Sequence, residues 1–151
     1  MSPVRIRKML ESDIPQVARI EKMIFADPWS EKVYRETLKL PEAEYVVAVD
    51  GSGDEEEIIG AAGVRNIVGT GEITNVMITP MYRGRGIARQ MLTDLLDRGR
   101  KLGADDFTLE VRAGNEPAIK LYESLGFVSE GIRPGFYRNP TEDAVIYWLR
   151  G

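Results

Sequence analysis

The chain contains neither cysteine nor histidine in 151 residues. Without cysteine it forms no disulfide, offers no thiolate to a metal and has no thiol nucleophile, a composition expected of a cytoplasmic protein. Without histidine, any enzyme built on this chain takes its general base from a carboxylate, tyrosine, lysine, hydroxyl or ordered water. No apolar run approaches the roughly 18 residues of a membrane span, and the N-terminus lacks a signal-peptide core, so no membrane partner is expected. A basic excess is missing too. The net charge of −4 argues against nucleic acid as a partner, since such surfaces are basic overall.

Apolar content of 43% and charged content of 29% are ordinary for a globular protein, and the length fits one domain over residues 1–151. The charge is uneven. Between Tyr82 and Lys101, the bases Arg83, Arg85, Arg89, Arg98, Arg100 and Lys101 face only Asp94 and Asp97, so the remainder of the chain carries −8. A basic turn on an acidic body suits a small polyanion, with a cationic partner elsewhere. The alternative for Arg98, Arg100 and Lys101 is a solvated helix face.

Periodicity and turn residues predict β-α-α-β-β-β-α-β-α-β-β. Strands are expected at Val4–Arg7, Tyr45–Val49, Ile58–Arg65, Glu72–Ile78, Phe107–Val111, near Phe127–Ile132 and at Ala144–Leu149. Ser12 and Pro15 open a helix to about Phe25, with Ile14, Val17, Ile20 and Ile24 on one stripe, and Ser30 caps a second ended by Pro41. A third runs from about Gly86 to Lys101, stopped by Gly103, and a fourth from Ala118 to Leu125. This alternation predicts an α/β fold in which a mixed sheet carries helices on both faces.

The turn Arg83-Gly84-Arg85-Gly86-Ile87-Ala88 lies between the fourth strand and the third helix. Two glycines permit positive φ and close backbone approach, and a helix start presents free N–H groups and a positive dipole end. Such a turn binds anions, typically phosphate, with Arg83, Arg85 and Arg89 adding side-chain charge. A plain surface turn is the competing reading. A Rossmann site fits poorly: Arg89 occupies the third glycine position, Thr79 to Arg83 separate strand from glycine, and too little chain follows for a second half. A P-loop is excluded because no Gly-Lys-[Ser/Thr] follows.

Downstream runs Leu109-Glu110-Val111-Arg112-Ala113-Gly114-Asn115-Glu116-Pro117-Ala118-Ile119-Lys120-Leu121-Tyr122-Glu123-Ser124-Leu125-Gly126-Phe127. This segment resembles the GNAT superfamily of acetyl-CoA-dependent N-acetyltransferases, and Arg83 to Ala88 matches its pyrophosphate signature, [Gln/Arg]-x-x-Gly-x-[Gly/Ala]. The blocks Leu-Glu-Val-Arg, Asn-x-x-Ala-Ile-x-Leu-Tyr and Leu-Gly-Phe are similar to the RimI family, as are Asp27-Pro28-Trp29-Ser30 and Thr141-Glu142-Asp143-Ala144. Asp27, where the family has Phe, and Phe136-Tyr137, where relatives often carry two tyrosines, depart from the pattern at the expected acceptor site.

The resemblance implies the GNAT fold, acetyl-CoA as cosubstrate, no metal, and transfer of acetyl to the N-terminal alanine of a basic small-subunit ribosomal protein. Glu110, near a strand end, is the candidate base for the ammonium proton, directly or through water; an ion pair with Arg112 or Lys120 is its structural alternative. Tyr122 is the candidate hydrogen-bond donor to the departing sulfur, and a core tyrosine is the alternative. Val76, Met77 and Ile78 are expected to pair with the cofactor's pantetheine arm, one N–H polarising the thioester carbonyl. The resemblance adds Asn115 as a cofactor contact, although it is also a natural helix cap. Trp29, Phe136 and Tyr137 are candidate walls of an acceptor groove, with Glu142 and Asp143 receiving its positive side chains. A GNAT enzyme for other protein N-termini or small amines, and a non-catalytic acetyl-CoA-binding module, remain the alternatives.

Overall fold

The structure, a computed structural model, describes residues 3–151. Among these residues seven strands alternate with four helices: β1 (Val4–Lys8), α1 (Ile14–Ile24), α2 (Glu31–Leu38), β2 (Ala43–Asp50), β3 (Glu57–Ile67), β4 (Thr70–Ile78), α3 (Ile87–Lys101), β5 (Asp106–Arg112), α4 (Glu116–Ser124), β6 (Val128–Tyr137) and β7 (Glu142–Leu149). The order is the one that periodicity predicts. Local chemistry sets the helix starts: the Ser30 hydroxyl accepts the Val33 N–H at 3.2 Å, and the Asn115 side chain accepts the Ala118 N–H at 3.3 Å. No helix among the described residues is long and apolar enough to cross a membrane.

The strands form one sheet in the order β1-β2-β3-β4-β5-β7-β6. Every neighbouring pair is antiparallel except β4 and β5, which are parallel and joined through α3. Their pairing covers only Thr70 with Asp106, Gly71 with Phe107 and Glu72 with Thr108. Beyond Glu72, β4 continues to Ile78 with no partner on that side, and β5 stays bonded to β7. The sheet is therefore split over its lower half between two diverging strands.

Both faces of the sheet are covered, because successive strand residues point to opposite sides. From β2, Val46 and Ala48 join Met91, Leu92 and Leu95 of α3 in one core, while Tyr45, Val47 and Val49 join Ile14, Val17 and Ile20 of α1 and Tyr34 of α2 in the other. The sixth expected strand, near Phe127–Ile132, falls short of β6, which runs on to Tyr137. Pro134 and Gly135 hide the continuation in the sequence. β6 is an edge strand with an irregular register between Arg133 and Tyr137, where a proline's missing donor is tolerated.

Phe107 of β5 packs against Gly99 of α3 and Gly71 of β4. Its ring is 1% exposed and lies against two glycines: a Cβ at Gly99 would fall 2.5 Å from it and a Cβ at Gly71 2.6 Å from it. Both glycines meet the same edge of this buried ring. Alanine is ordinarily better than glycine in a helix by about 1 kcal/mol, but overpacking here costs about 1–3 kcal/mol. Gly99→Ala is thus expected to lower the urea unfolding midpoint, and a raised midpoint would show that the ring can yield.

Candidate active site

The divergence of β4 and β5 opens a cavity of about 880 Å³. Thr74 to Val76 of β4 and Glu110 to Arg112 of β5 line its sides, Tyr122 and Asn115 enter from α4, and Trp29, Phe136 and Tyr137 close the rest.

The glycine turn leads from the end of β4 into α3. Gly84 and Gly86 hold φ of +76° and +77°, conformations that side chains disfavour, and nothing lies within 4 Å of where either Cβ would stand. Gly86 caps α3 with no side-chain bond, and Gln90 is where the helix's own ladder begins, its N–H donating to Gly86 at 3.1 Å. The preceding N–H groups have no helical acceptor. The arginine side chains are occupied differently from the expected convergence on one anion. Arg83 Nε donates to the Ile78 carbonyl at 3.2 Å, the Arg85 guanidinium sits 5.0 Å from the centre of the Tyr82 ring, and Arg89 donates to the Ser124 hydroxyl. Arg83 thus leans on β4, Arg89 on α4 and Arg85 on Tyr82; all three are exposed and keep further N–H groups free, beside the open backbone donors of the turn.

Of the β4 candidates, Val76 lines the cavity, whereas Met77 and Ile78 bury their side chains in opposite cores. They can serve a ligand only through backbone. The Thr79 N–H donates to the Ile59 carbonyl at 2.8 Å and Ile78 stands opposite Gly60. Antiparallel pairs alternate between bonded and non-bonded, so the Ile78 N–H and C=O face away from β3; the C=O is taken by Arg83, and the N–H is left toward the split. Ile87 is likewise buried, which leaves its backbone for a ligand.

Glu110 and Tyr122 line the same cavity. Neither Arg112 nor Lys120 pairs with Glu110. Arg112 instead bonds Glu142 at 3.1 Å and the Arg138 carbonyl at 2.8 Å, with its guanidinium 4.6 Å from the Tyr137 ring centre. The neighbour of Glu110 is Arg133, whose Nε lies 3.3 Å from Oε2, yet that buried oxygen takes no hydrogen bond. A buried carboxylate oxygen without a hydrogen bond is costly, and inside a cavity it is free to accept one from a ligand or water. Tyr122 packs between Phe127 and Tyr147, with ring centres 5.9 and 6.5 Å away, as a core tyrosine would. Its hydroxyl nevertheless has no protein hydrogen bond among the described residues. Burial, and then the neighbouring Tyr137, push the phenol well above its ordinary value of 10.0, so it stays protonated throughout the working range of an enzyme.

The acceptor candidates divide. Trp29 stacks edge-on against Tyr34 at 5.2 Å, and Phe136 meets Tyr137 at 5.1 Å. Glu142 reaches the cavity but is committed to Arg112 and to the Gly114 N–H at 2.7 Å. Asp143 is not among the cavity's lining residues, and its Oδ1 accepts the Gly135 N–H at 2.9 Å. Neighbours on a strand point to opposite faces, so these two acids do not form a joint receptor for cations. Missing from the expectations were Glu21, Asn75 and Arg133, the first two of which line the cavity. Glu21 was legible as an acid one position along the buried stripe of α1; Asn75 and Arg133 carry no local signal.

A parallel pair split open beside a helix start without a side-chain cap is suited to an extended, phosphate-bearing acyl donor, and the family match and relatives that follow make the chain an acetyl-CoA-dependent N-acetyltransferase. The profile of the acetyltransferase (GNAT) family matches residues 14–127, and the chain belongs to that family. It is 34% identical over 148 residues to the N-alpha-acetyltransferase RimI of Mycobacterium tuberculosis, covering 94% of this chain and 89% of that protein. It is 32% identical over 148 residues to the ribosomal protein bS18-alanine N-acetyltransferase of Escherichia coli, covering 95% of each. The crystal structure of the Escherichia coli ribosomal-protein-S18-alanine N-acetyltransferase superposes with a TM-score of 0.84 at 30% identity, over 97% of this chain and 93% of that one. Arabidopsis thaliana NAA60 in complex with acetyl-CoA shares the fold, with a TM-score of 0.88 at 20% identity over 97% and 98%.

Acetyl-CoA fits what is present: open N–H groups and empty space over two left-handed glycines for its pyrophosphate, and the free edge of β4 for its amides. Gly86→Glu would put bulk and negative charge into that space. The folded protein is expected to survive with a loss of about 1–2 kcal/mol from the positive φ, while calorimetry detects no acetyl-CoA binding. A native dissociation constant in the folded variant would remove the turn from the site.

Proposed function

We propose that the whole chain works as one acetyltransferase domain that modifies the α-amino group of a protein beginning with alanine, on a basic ribosomal protein like the bS18 named for its relatives. A cytoplasmic setting fits a cysteine-free chain. The observation that carries the reading is the buried Oε2 of Glu110, ion-paired with Arg133 yet without a hydrogen bond, in one cavity with the unbonded Tyr122 hydroxyl. Acetyl-CoA supplies an activated acetyl thioester. Glu110 accepts the ammonium proton, directly or through a water, so that the neutral nitrogen forms its bond to the acetyl carbon as the carbon–sulfur bond breaks, and the second proton that the acylated nitrogen releases passes to the departing thiolate or to solvent. The Ile78 N–H, facing the split, donates to the carbonyl oxygen. Tyr122 donates a hydrogen bond to the departing sulfur; full proton transfer from a phenol to a thiolate is uphill by about 2 kcal/mol at ordinary values, and more with the phenol raised as it is here.

An α-amine suits a carboxylate base. With a pKa of about 8 against about 10.4 for lysine, roughly a tenth of it is neutral at pH 7, hundreds of times the lysine fraction. Trp29, Phe136 and Tyr137 are apolar walls for a small first side chain. The acidic body favours a cationic chain behind it, through overall field more than through Glu142 and Asp143, whose carboxylates are already bonded.

A peptide beginning Ala-Arg is therefore expected to be acetylated on its α-amine about 100-fold faster than the same peptide with that amine blocked and a lysine supplied. Equal rates would leave the acetyltransferase without an N-terminal preference. On the same peptide, Glu110→Gln and Tyr122→Phe should each lower turnover about 10²–10⁴-fold with little change in acetyl-CoA affinity. Native turnover in Tyr122→Phe would show that another group serves the sulfur.

A further inference from the structure

Helix α1 buries Ile14, Val17 and Ile20 against the sheet, and on that stripe stands Glu21, itself 1% exposed. A carboxylate withdrawn from water needs donors to replace it. Glu21 receives them from three separate pieces of chain. The Trp29 backbone N–H, in the loop between α1 and α2, donates to Oε2. The Tyr34 hydroxyl of α2 donates to Oε1, and Asn75 Nδ2 of β4 donates to the same oxygen at 2.9 Å. No lysine or arginine among the described residues pairs with it.

Asn75 is itself irregular. Its φ is +58°, and it lies where β4 gains one residue on β3, between the pairs Ala61–Met77 and Gly63–Thr74. Asparagine tolerates that conformation, and a bulge re-aims the side chain it carries. The Tyr45 hydroxyl hydrogen-bonds with Thr74 at 3.0 Å on the neighbouring residue, and the Tyr45 ring packs 6.1 Å from Trp29. Glu21, Trp29 and Asn75 all line the cavity. An apolar residue at position 21 would suit the stripe better, since a buried charge seldom adds stability. What the carboxylate provides is a fixed distance between the Trp29 loop and the bulge.

We propose that Glu21 is a positioning residue, holding the Trp29 loop against the Asn75 bulge and so setting the width of the pocket for the acceptor's first side chain. The inference rests on the reading that the acceptor lies between Trp29 and Tyr137. It predicts that loosening Glu21 acts on the acceptor and leaves the cofactor turn alone.

The test uses the full chain with Trp148→Phe, which leaves Trp29 as the one tryptophan. Glu21→Leu is expected to raise the KM for an Ala-first peptide about tenfold and to narrow its kcat/KM advantage over a Phe-first peptide, with acetyl-CoA affinity unchanged. Acrylamide quenching of Trp29 should increase in parallel. Glu21→Gln keeps an oxygen for the Trp29 N–H and should restore most of both. Tyr34→Phe removes one donor, keeps the ring, and should shift both readouts in the same direction; it carries the comparison if Glu21→Leu does not fold. Folded variants with native acceptor KM, native selectivity and native quenching would overturn the proposal, as would equal losses in acceptor and acetyl-CoA affinity. If the native enzyme acetylates only a small amine, the protein-acceptor reading fails, and Glu21 is judged on the KM for that amine and on Trp29 quenching.

Discussion

The parallel contact between β4 and β5 lasts for three residue pairs, and the site follows from where it stops. Parallel neighbours require a crossover, which here is α3. The crossover must start at the end of β4, so the same connection that brings in β5 places a helix N-terminus beside the widening gap. Had the two strands stayed paired to Ile78, the β4 edge would be spent on β5 and the cavity would be closed. One topological event therefore supplies both the anion-binding turn and the free strand edge, in accord with the tendency of ligands to lie beyond the carboxyl ends of parallel strands.

Polar groups that stability alone would not place in the interior collect around this split. Glu110 has a buried oxygen without a hydrogen bond, the Tyr122 hydroxyl lacks a protein partner, Glu21 is a buried carboxylate, and Asn75 holds a positive φ. Away from the split apolar packing covers both faces of the sheet, and the buried acids Asp13 and Asp50 are bonded, to Arg7 and Tyr82. Local departures from good folding practice are expected where a chain is shaped for binding and chemistry. The arginines of the turn stay exposed: Arg83 and Arg89 each engage one nitrogen, with Ile78 and Ser124, and keep the rest of the guanidinium open.

The order of all eleven main elements was legible because each carries a local signal, such as the Ser30 cap, the period of Ile14, Val17 and Ile20, or the alternation that fills β2. The turn at Gly84 and Gly86 was legible for the same reason, and Glu110 with Tyr122 through the motifs around them. Features set by pairing between distant segments were not. Nothing near Asn75 announces a bulge, the extent of β4–β5 pairing depends on β7 and α3, and Pro134 masks the end of an edge strand. Glu142 and Asp143 read as one acidic pair along the chain, yet the pleat sends them to different partners.

Amide hydrogen exchange, followed residue by residue by NMR with and without saturating acetyl-CoA, tests the central claim most directly. If the donor occupies the split, the N–H groups of Ile78 and of Gly86 to Arg89 should gain protection of about tenfold or more, because they lack protein acceptors until the ligand supplies them. Amides at the C-terminal end of α3 and within β2 should not change. Protection that appears elsewhere, with Ile78 and the α3 N-terminus exchanging as before, would contradict the account.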